Sequence, residues 1–131
     1  MAKDEKQLKI LMIDDDKFLL DMYSLKFKKS GLLVDVSSSS TAALDKIRAD
    51  PGYDIVLMDI IMPGMDGLEL LKKVREEKLV PNATVIMLTN QADDYDKAKA
   101  FNVDSYIIKA TTIPSEVVDQ VLGVYKNKHP K

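Results

Sequence analysis

The 131-residue chain predicts an α/β fold, a parallel five-stranded sheet with helices on both faces. Three observations lead there. Short apolar runs alternate five times with helical patterns, the signature of successive β-α units. The runs are continuously apolar rather than alternating, as in strands buried on both faces. Polar residues capable of chemistry follow the runs directly, at the strand ends where such sheets hold ligands. Residues 55–67, IVLMDIIMPGMDG, combine all three features.

Each element has its own justification. Residues 10–13 form a short apolar run that ends in Asp14, Asp15 and Asp16. A helix is expected over about residues 17–29, with Asp16 as N-cap, Phe18, Leu19, Met22 and Leu25 on the buried face, and Gly31 ending it. Residues 32–36 give a second strand, an edge strand because Asp35 interrupts it. Caps within residues 37–41 start a short helix containing Ala43, Leu44 and Ile47, which Pro51 and Gly52 terminate. The third strand covers residues 55–58. Pro63, Gly64 and Gly67 mark the turn after it. Asp66 and Glu69 suggest a capping box for a third helix, about residues 68–78, burying Leu68, Leu71 and Val74. The charged residues on its other side predict a solvated face. Residues 84–88 form the fourth strand, closing on Thr89 and Asn90. A weak helix over about residues 93–101 has only Tyr95, Ala98 and Phe101 as an apolar stripe. Residues 105–108 form the fifth strand and end at Lys109. The last helix starts near Pro114, tolerated in a first turn, and carries Val117, Val118, Val121, Leu122 and Tyr125 on one face.

The composition narrows the classes of function. The length suits one domain, 1–131, with a core of about 8–126 and short polar tails. The chain is 46% hydrophobic and 31% charged, with a net charge of −2, so no basic footprint points to nucleic acid. The absence of cysteine removes disulfides, thiolate metal sites and cysteine nucleophiles. The lone His129 lies in a polar tail. No apolar run approaches the roughly 18 residues of a membrane span, and residues 1–7 are unlike a signal peptide. A cytoplasmic protein is expected.

A parallel sheet brings the strand carboxyl ends to one edge. Asp14 and Asp15, Asp59, Thr89 with Asn90, and Lys109 therefore converge. Asp59 belongs at this site rather than in the core, since an ionised carboxylate buried without partners is too costly. Two carboxylates 4 Å apart repel by about 4 kcal/mol at an intermediate effective dielectric, and a divalent cation relieves that repulsion. Oxygen ligands without His or Cys favour Mg²⁺ over zinc. A carboxylate beside Mg²⁺ and a lysine can accept a phosphoryl group, because both cations neutralise the developing charge. Asp16 and Asp66 suggest helix caps rather than ligands.

On these residues the chain resembles a response regulator receiver domain over essentially its whole length. ILMIDDD resembles the family's first strand with its acidic pair, Asp14 and Asp15. LMDIIMPGMDGLELL resembles the family's most specific segment and implies that Asp59 is the phosphoacceptor. VIMLTN implies Thr89 as the switch hydroxyl. SYIIK implies Tyr106 as the switch aromatic and Lys109 as the invariant lysine. The resemblance implies a doubly wound (βα)5, flavodoxin-like three-layer sandwich with strand order 2-1-3-4-5. It also implies a signalling switch in a two-component system. A sensor histidine kinase or histidine phosphotransfer protein would phosphorylate Asp59 with Mg²⁺, or with Mn²⁺ in its place. Thr89 would be drawn in, Tyr106 would turn inward, and the surface of the fourth helix, fifth strand and fifth helix would change. Implied metal contacts are Asp15, Asp59 and the backbone carbonyl of Ile61, with Asp14 acting through water. Such a protein assists its own phosphoryl transfer and dephosphorylation but is not a turnover enzyme. The expected partners are the phosphodonor and a downstream protein target, with no direct nucleic acid and no membrane; a dimer through the switching surface is compatible with the family. No output domain follows the last helix, so a stand-alone receiver is expected.

Receivers usually have proline after the lysine, whereas Ala110 stands here. Without proline a cis bond costs about 2.5–4 kcal/mol, so Lys109–Ala110 is expected to be trans. Ile61 and Gln91 occupy positions that tune phosphate lifetime in the family. Asn90 is bulkier than the residue usual there, and either narrows the approach of water or orients it. Two rivals compete: a haloacid dehalogenase-type phosphatase using Asp14 and Asp16 as a D-x-D pair, and a receiver-like module that binds partners without phosphorylation.

Overall fold

The computed structural model describes residues 7–90 and 92–129. Its strands are β1 (Lys9–Ile13), β2 (Leu33–Ser37), β3 (Ile55–Met58), β4 (Thr84–Thr89) and β5 (Ser105–Ile108). The helices between and after them are α1 (Lys17–Lys29), α2 (Ser40–Ala49), α3 (Gly67–Glu76), α4 (Tyr95–Ala100) and α5 (Pro114–Lys128). The strands form a parallel sheet of order β2-β1-β3-β4-β5, as expected, with β2 at an edge.

Alternate residues of each inner strand serve opposite faces, so a continuous apolar run fills two cores. Leu11, Ile13, Val56, Met58, Val85 and Met87 pack with Leu44 and Ile47 of α2 and with Leu70, Leu71 and Val74 of α3. Ile10, Met12, Ile55, Leu57, Ile86 and Leu88 pack with Leu20, Tyr23 and Phe27 of α1 and with Val117 and Val121 of α5. The result is three layers, helix on sheet on helix.

Local chemistry sets the helix ends. The Asp16 carboxylate accepts hydrogen bonds from the Phe18 and Leu19 amides at 3.0 and 3.2 Å. Ser39 caps α2 through the Ala42 amide. Asp66 and Glu69 form the expected capping box at α3. At the end of α1, Gly31 N–H donates to Lys28 O and Leu32 N–H to Phe27 O, closing the turn on the core pair Leu32 and Phe27.

Several expectations need correction. The buried face of α1 is Leu20, Tyr23 and Phe27; Phe18 is 74% and Leu25 58% exposed, with Leu19 and Met22 at the margin. This helix is apolar on more than one side, so spacing alone fits several faces. In α3, Leu70 takes the core position expected for Leu68, which is half-buried. The helix begins at the buried Gly67, and positions 70, 71 and 74 follow it on one face. Arg75 of α3 is not simply solvated. Its guanidinium donates to Phe101 O at 2.9 Å and Asn102 O at 3.0 Å, tying α3 to the end of α4. The fourth helix is shorter than expected: a 3-10 turn, Ala92–Asp94, precedes a six-residue α4 that buries only Ala98. Tyr95 is 46% exposed rather than part of a buried stripe. β4 runs one residue further than expected, to Thr89.

Candidate functional site

Strand register assembles the site. Ile13 lies opposite Met58, and Met58 opposite Met87. Asp14 and Asp59, the next residues of β1 and β3, therefore emerge side by side. Asp59 N–H donates to Ile13 O at 3.0 Å, and Asp14 N–H to Ser37 O at 3.2 Å. The turn after Asp59 folds back tightly. Gly64 has φ +78°, a backbone region that favours glycine. Gly67 donates to Ile60 O at 2.7 Å, and a Cβ there would stand 2.0 Å from the carbonyl oxygen of Asp59. Glycine at 67 thus lets α3 start directly against the strand end.

An open cleft of about 300 Å³ results, lined by Asp14, Asp15, Asp16, Leu19, Asp59, Ile61, Thr89, Asn90 and Lys109. The structure thus brings together the expected acidic residues, Thr89, Asn90, Ile61 and Lys109. Gln91 lies outside the described residues. Tyr106 does not line the cleft. It sits half-buried on β5, its ring edge-on to Tyr95 with centroids 5.5 Å apart.

Lys109 is the centre of the electrostatics. Its Nζ donates to Asp14 Oδ2 at 2.6 Å and to Asp59 Oδ2 at 2.9 Å, with the lysine side chain only 11% exposed. Burial pulls its pKa down, but the hydrogen bonds and charges of the two carboxylates outweigh that, and the net shift is upward. Asp14 lies above the usual carboxylate range because burial outweighs its bonds to Lys109 and to the Asp16 amide. Asp59 is buried, and its partners make that tolerable: Oδ2 faces Lys109, while Oδ1 accepts the Ile60 amide at 2.7 Å. The Ile60 bond also fixes the plane of the carboxylate.

The donor set fits a hard divalent cation. Asp14, Asp15 and Asp59 can each offer an oxygen, all within 4.8 Å of one another, and no histidine or cysteine lines the cleft to favour a softer metal. Asp15 is exposed, and among the described residues its carboxylate has no other partner. Asp16, by contrast, is committed to the α1 amides. The acidic cluster pairs Asp14 with Asp15 and Asp59 rather than with Asp16, and nothing supports the phosphatase alternative.

A family model, response regulator receiver domain, matches residues 10–121. The chain belongs to this family. Receivers are phosphorylation-activated switches of two-component systems, and this chain is such a domain. It is 31% identical over 122 residues to the transcriptional regulatory protein ResD of Bacillus subtilis, covering 92% of this chain and 49% of ResD. It is 29% identical over 124 residues to the response regulator ArlR of Staphylococcus haemolyticus, covering 93% of this chain and 54% of ArlR. The receiver thus spans about half the length of these curated relatives, which are signalling regulators rather than classical enzymes. A CheY-like receiver from Methanospirillum hungatei superposes with a TM-score of 0.84 at 25% identity, over 94% of this chain and 97% of that one. The response regulator TrrA of Thermotoga maritima, solved in complex with Mg²⁺-BeF, has a TM-score of 0.78 at 26% identity, over 90% and 99%. Among the described residues no helix is long and apolar enough to cross a membrane.

Sequence reasoning missed three features of this receiver. Tyr95 is the ring partner of Tyr106. Gly67 is excluded from substitution by the Asp59 carbonyl, although the DG dipeptide marked a turn. Asn90 Oδ1 accepts the Ala110 amide at 2.8 Å, across a sequence separation of 20. The only sequence signal for this last contact is the alanine standing where proline is usual.

Proposed function

We propose that this single receiver domain accepts a phosphoryl group on Asp59 from a phosphohistidine, supplied by a sensor histidine kinase or a histidine phosphotransfer protein. The observation that carries the reading is the Asp59 carboxylate held in an open cleft between Lys109 and a second and third carboxylate. As an Asp59 oxygen attacks phosphorus, the new O–P bond forms while the donor P–N bond breaks, and the imidazole leaves with the bonding pair. Asp14, Asp15, Asp59 and the Ile61 carbonyl would hold Mg²⁺, with Mn²⁺ as a substitute. The ion would neutralise charge on the transferring phosphoryl oxygens. Lys109, kept protonated, neutralises the same charge from the β5 side. TrrA was solved with Mg²⁺-BeF, which supports the same metal here.

Thr89 and Tyr106 are the proposed switch. Thr89 is fully buried at the end of β4, beside the cleft. Movement of its hydroxyl toward a phosphoryl group would shift the chain leading into α4. Tyr106 already touches Tyr95, the first residue of α4. The α4-β5-α5 surface is then the output, toward a protein target in the cytoplasm or a second copy of the chain. Ile61, Asn90 and Gln91 are the proposed tuners of phosphate lifetime, and the domain catalyses its own phosphorylation and hydrolysis without being a turnover enzyme.

Incubation with phosphoramidate and Mg²⁺ should add one phosphoryl group by intact mass. Chelation by EDTA should lower the initial rate by at least about a hundredfold, since metal charge neutralisation supplies several kcal/mol. Equal labelling with and without the metal would refute the role of the acidic cluster.

A further inference from the structure

The Asn90–Ala110 contact is not used by the reading above. Asn90 follows Thr89 at the end of β4. Ala110 follows Lys109 in a 3-10 turn, Lys109–Thr111, that has no side-chain cap. Because the partner is an N–H donor, the Asn90 atom facing it must be the carbonyl oxygen, which fixes the orientation of the carboxamide. The bonds from Thr112 N–H to Lys109 O and from Thr111 Oγ1 to Ile108 O, each 3.3 Å, stay within this turn and its approach. The shorter 2.8 Å bond from Ala110 reaches across to the loop after β4.

We propose that Asn90 is a positioning residue for Lys109. Its Oδ1 clamps the Ala110 amide and so fixes the turn from which Lys109 reaches Asp14 and Asp59. A proline at 110 would fix φ by its ring but would carry no N–H, leaving Asn90 without its donor. Asparagine at 90 and alanine at 110 therefore work as a pair: a hydrogen bond between two loops replaces a covalent restraint within one. The clamp also joins the loop that follows Thr89 to the loop that follows Lys109, so displacement of one loads the other. This inference rests on the reading of Lys109 as the residue that neutralises the phosphoryl group.

The test has two arms. Amide hydrogen exchange of the metal-free protein measures the clamp itself. Protection of the Ala110 amide should fall about tenfold in Asn90→Ala, as this amide loses its acceptor across the cleft, and return in Asn90→Asp, which keeps an acceptor. Phosphorylation by phosphoramidate at saturating Mg²⁺ measures the consequence. Asn90→Ala and Ala110→Pro should each slow it about three- to tenfold, and the double variant should be no slower than the slower single one. Failure of the wild type to be phosphorylated would defeat the receiver chemistry, and the exchange arm would still decide the clamp. The positioning role is overturned if Ala110 protection is unchanged in Asn90→Ala. It is also overturned if a phosphorylatable wild type and Asn90→Ala react at equal rates, or if the two substitutions multiply in the double variant.

Discussion

Lys109 illustrates how much of the site depends on single side chains. One ammonium serves two buried carboxylates, at 2.6 and 2.9 Å, and offsets part of their mutual repulsion. The strand-end position of that lysine was legible in the sequence, because it ends an apolar run. Its tether through Asn90 and Ala110 was not, because contacts between loops 20 residues apart carry no periodic signal. Ile61 is a second residue whose identity matters. It lines the cleft two positions after Asp59 and is 57% exposed, which on the proposed reading puts its apolar side chain in the path of the attacking water. A polar residue there would hold water instead of excluding it. Ile61→Asn should shorten the lifetime of the phosphorylated protein about three- to tenfold, followed by loss of phosphate at fixed Mg²⁺. An unchanged lifetime would mean that water reaches the phosphoryl group by another path.

At the scale of elements, strands were easier to read than helices. β1, β3 and β4 are buried on both faces, so continuous apolar runs and the polar residues that end them gave position, and boundaries to within one residue. Helix phase is harder to read. In α1, Phe18, Leu25, Leu20, Tyr23 and Phe27 are all apolar, and only packing against the sheet selects the last three. In α3, the phase is set by Gly67 against the Asp59 carbonyl, a tertiary contact that sequence spacing does not encode. That contact makes a sharp prediction. Gly67→Ala places a methyl group in the backbone of the strand end, and the rigid carbonyl has little room to yield. Stability should fall by about 3 kcal/mol, and Tm by about 10 °C, in thermal unfolding of the metal-free protein. A loss below about 1 kcal/mol would show that α3 can start elsewhere without cost.

For the whole molecule, the parallel sheet turns separate sequence motifs into one site. Asp14, Asp59, Thr89 and Lys109 follow β1, β3, β4 and β5, and the common strand direction alone gathers them at one edge. The same sheet carries Tyr106, whose ring touches α4, so Asp59 and the proposed output surface share a frame. The proposed switch requires that Asp59 itself receive the phosphoryl group. The most direct measurement is reductive trapping: borohydride converts an aspartyl phosphate to homoserine, and peptide mass mapping then locates it. After reaction with phosphoramidate and Mg²⁺, homoserine is expected at position 59 in the wild type and at no position in Asp59→Asn. Homoserine at position 14 or 15 of the wild type, or undiminished trapping in Asp59→Asn, would rule out Asp59 as the phosphoacceptor.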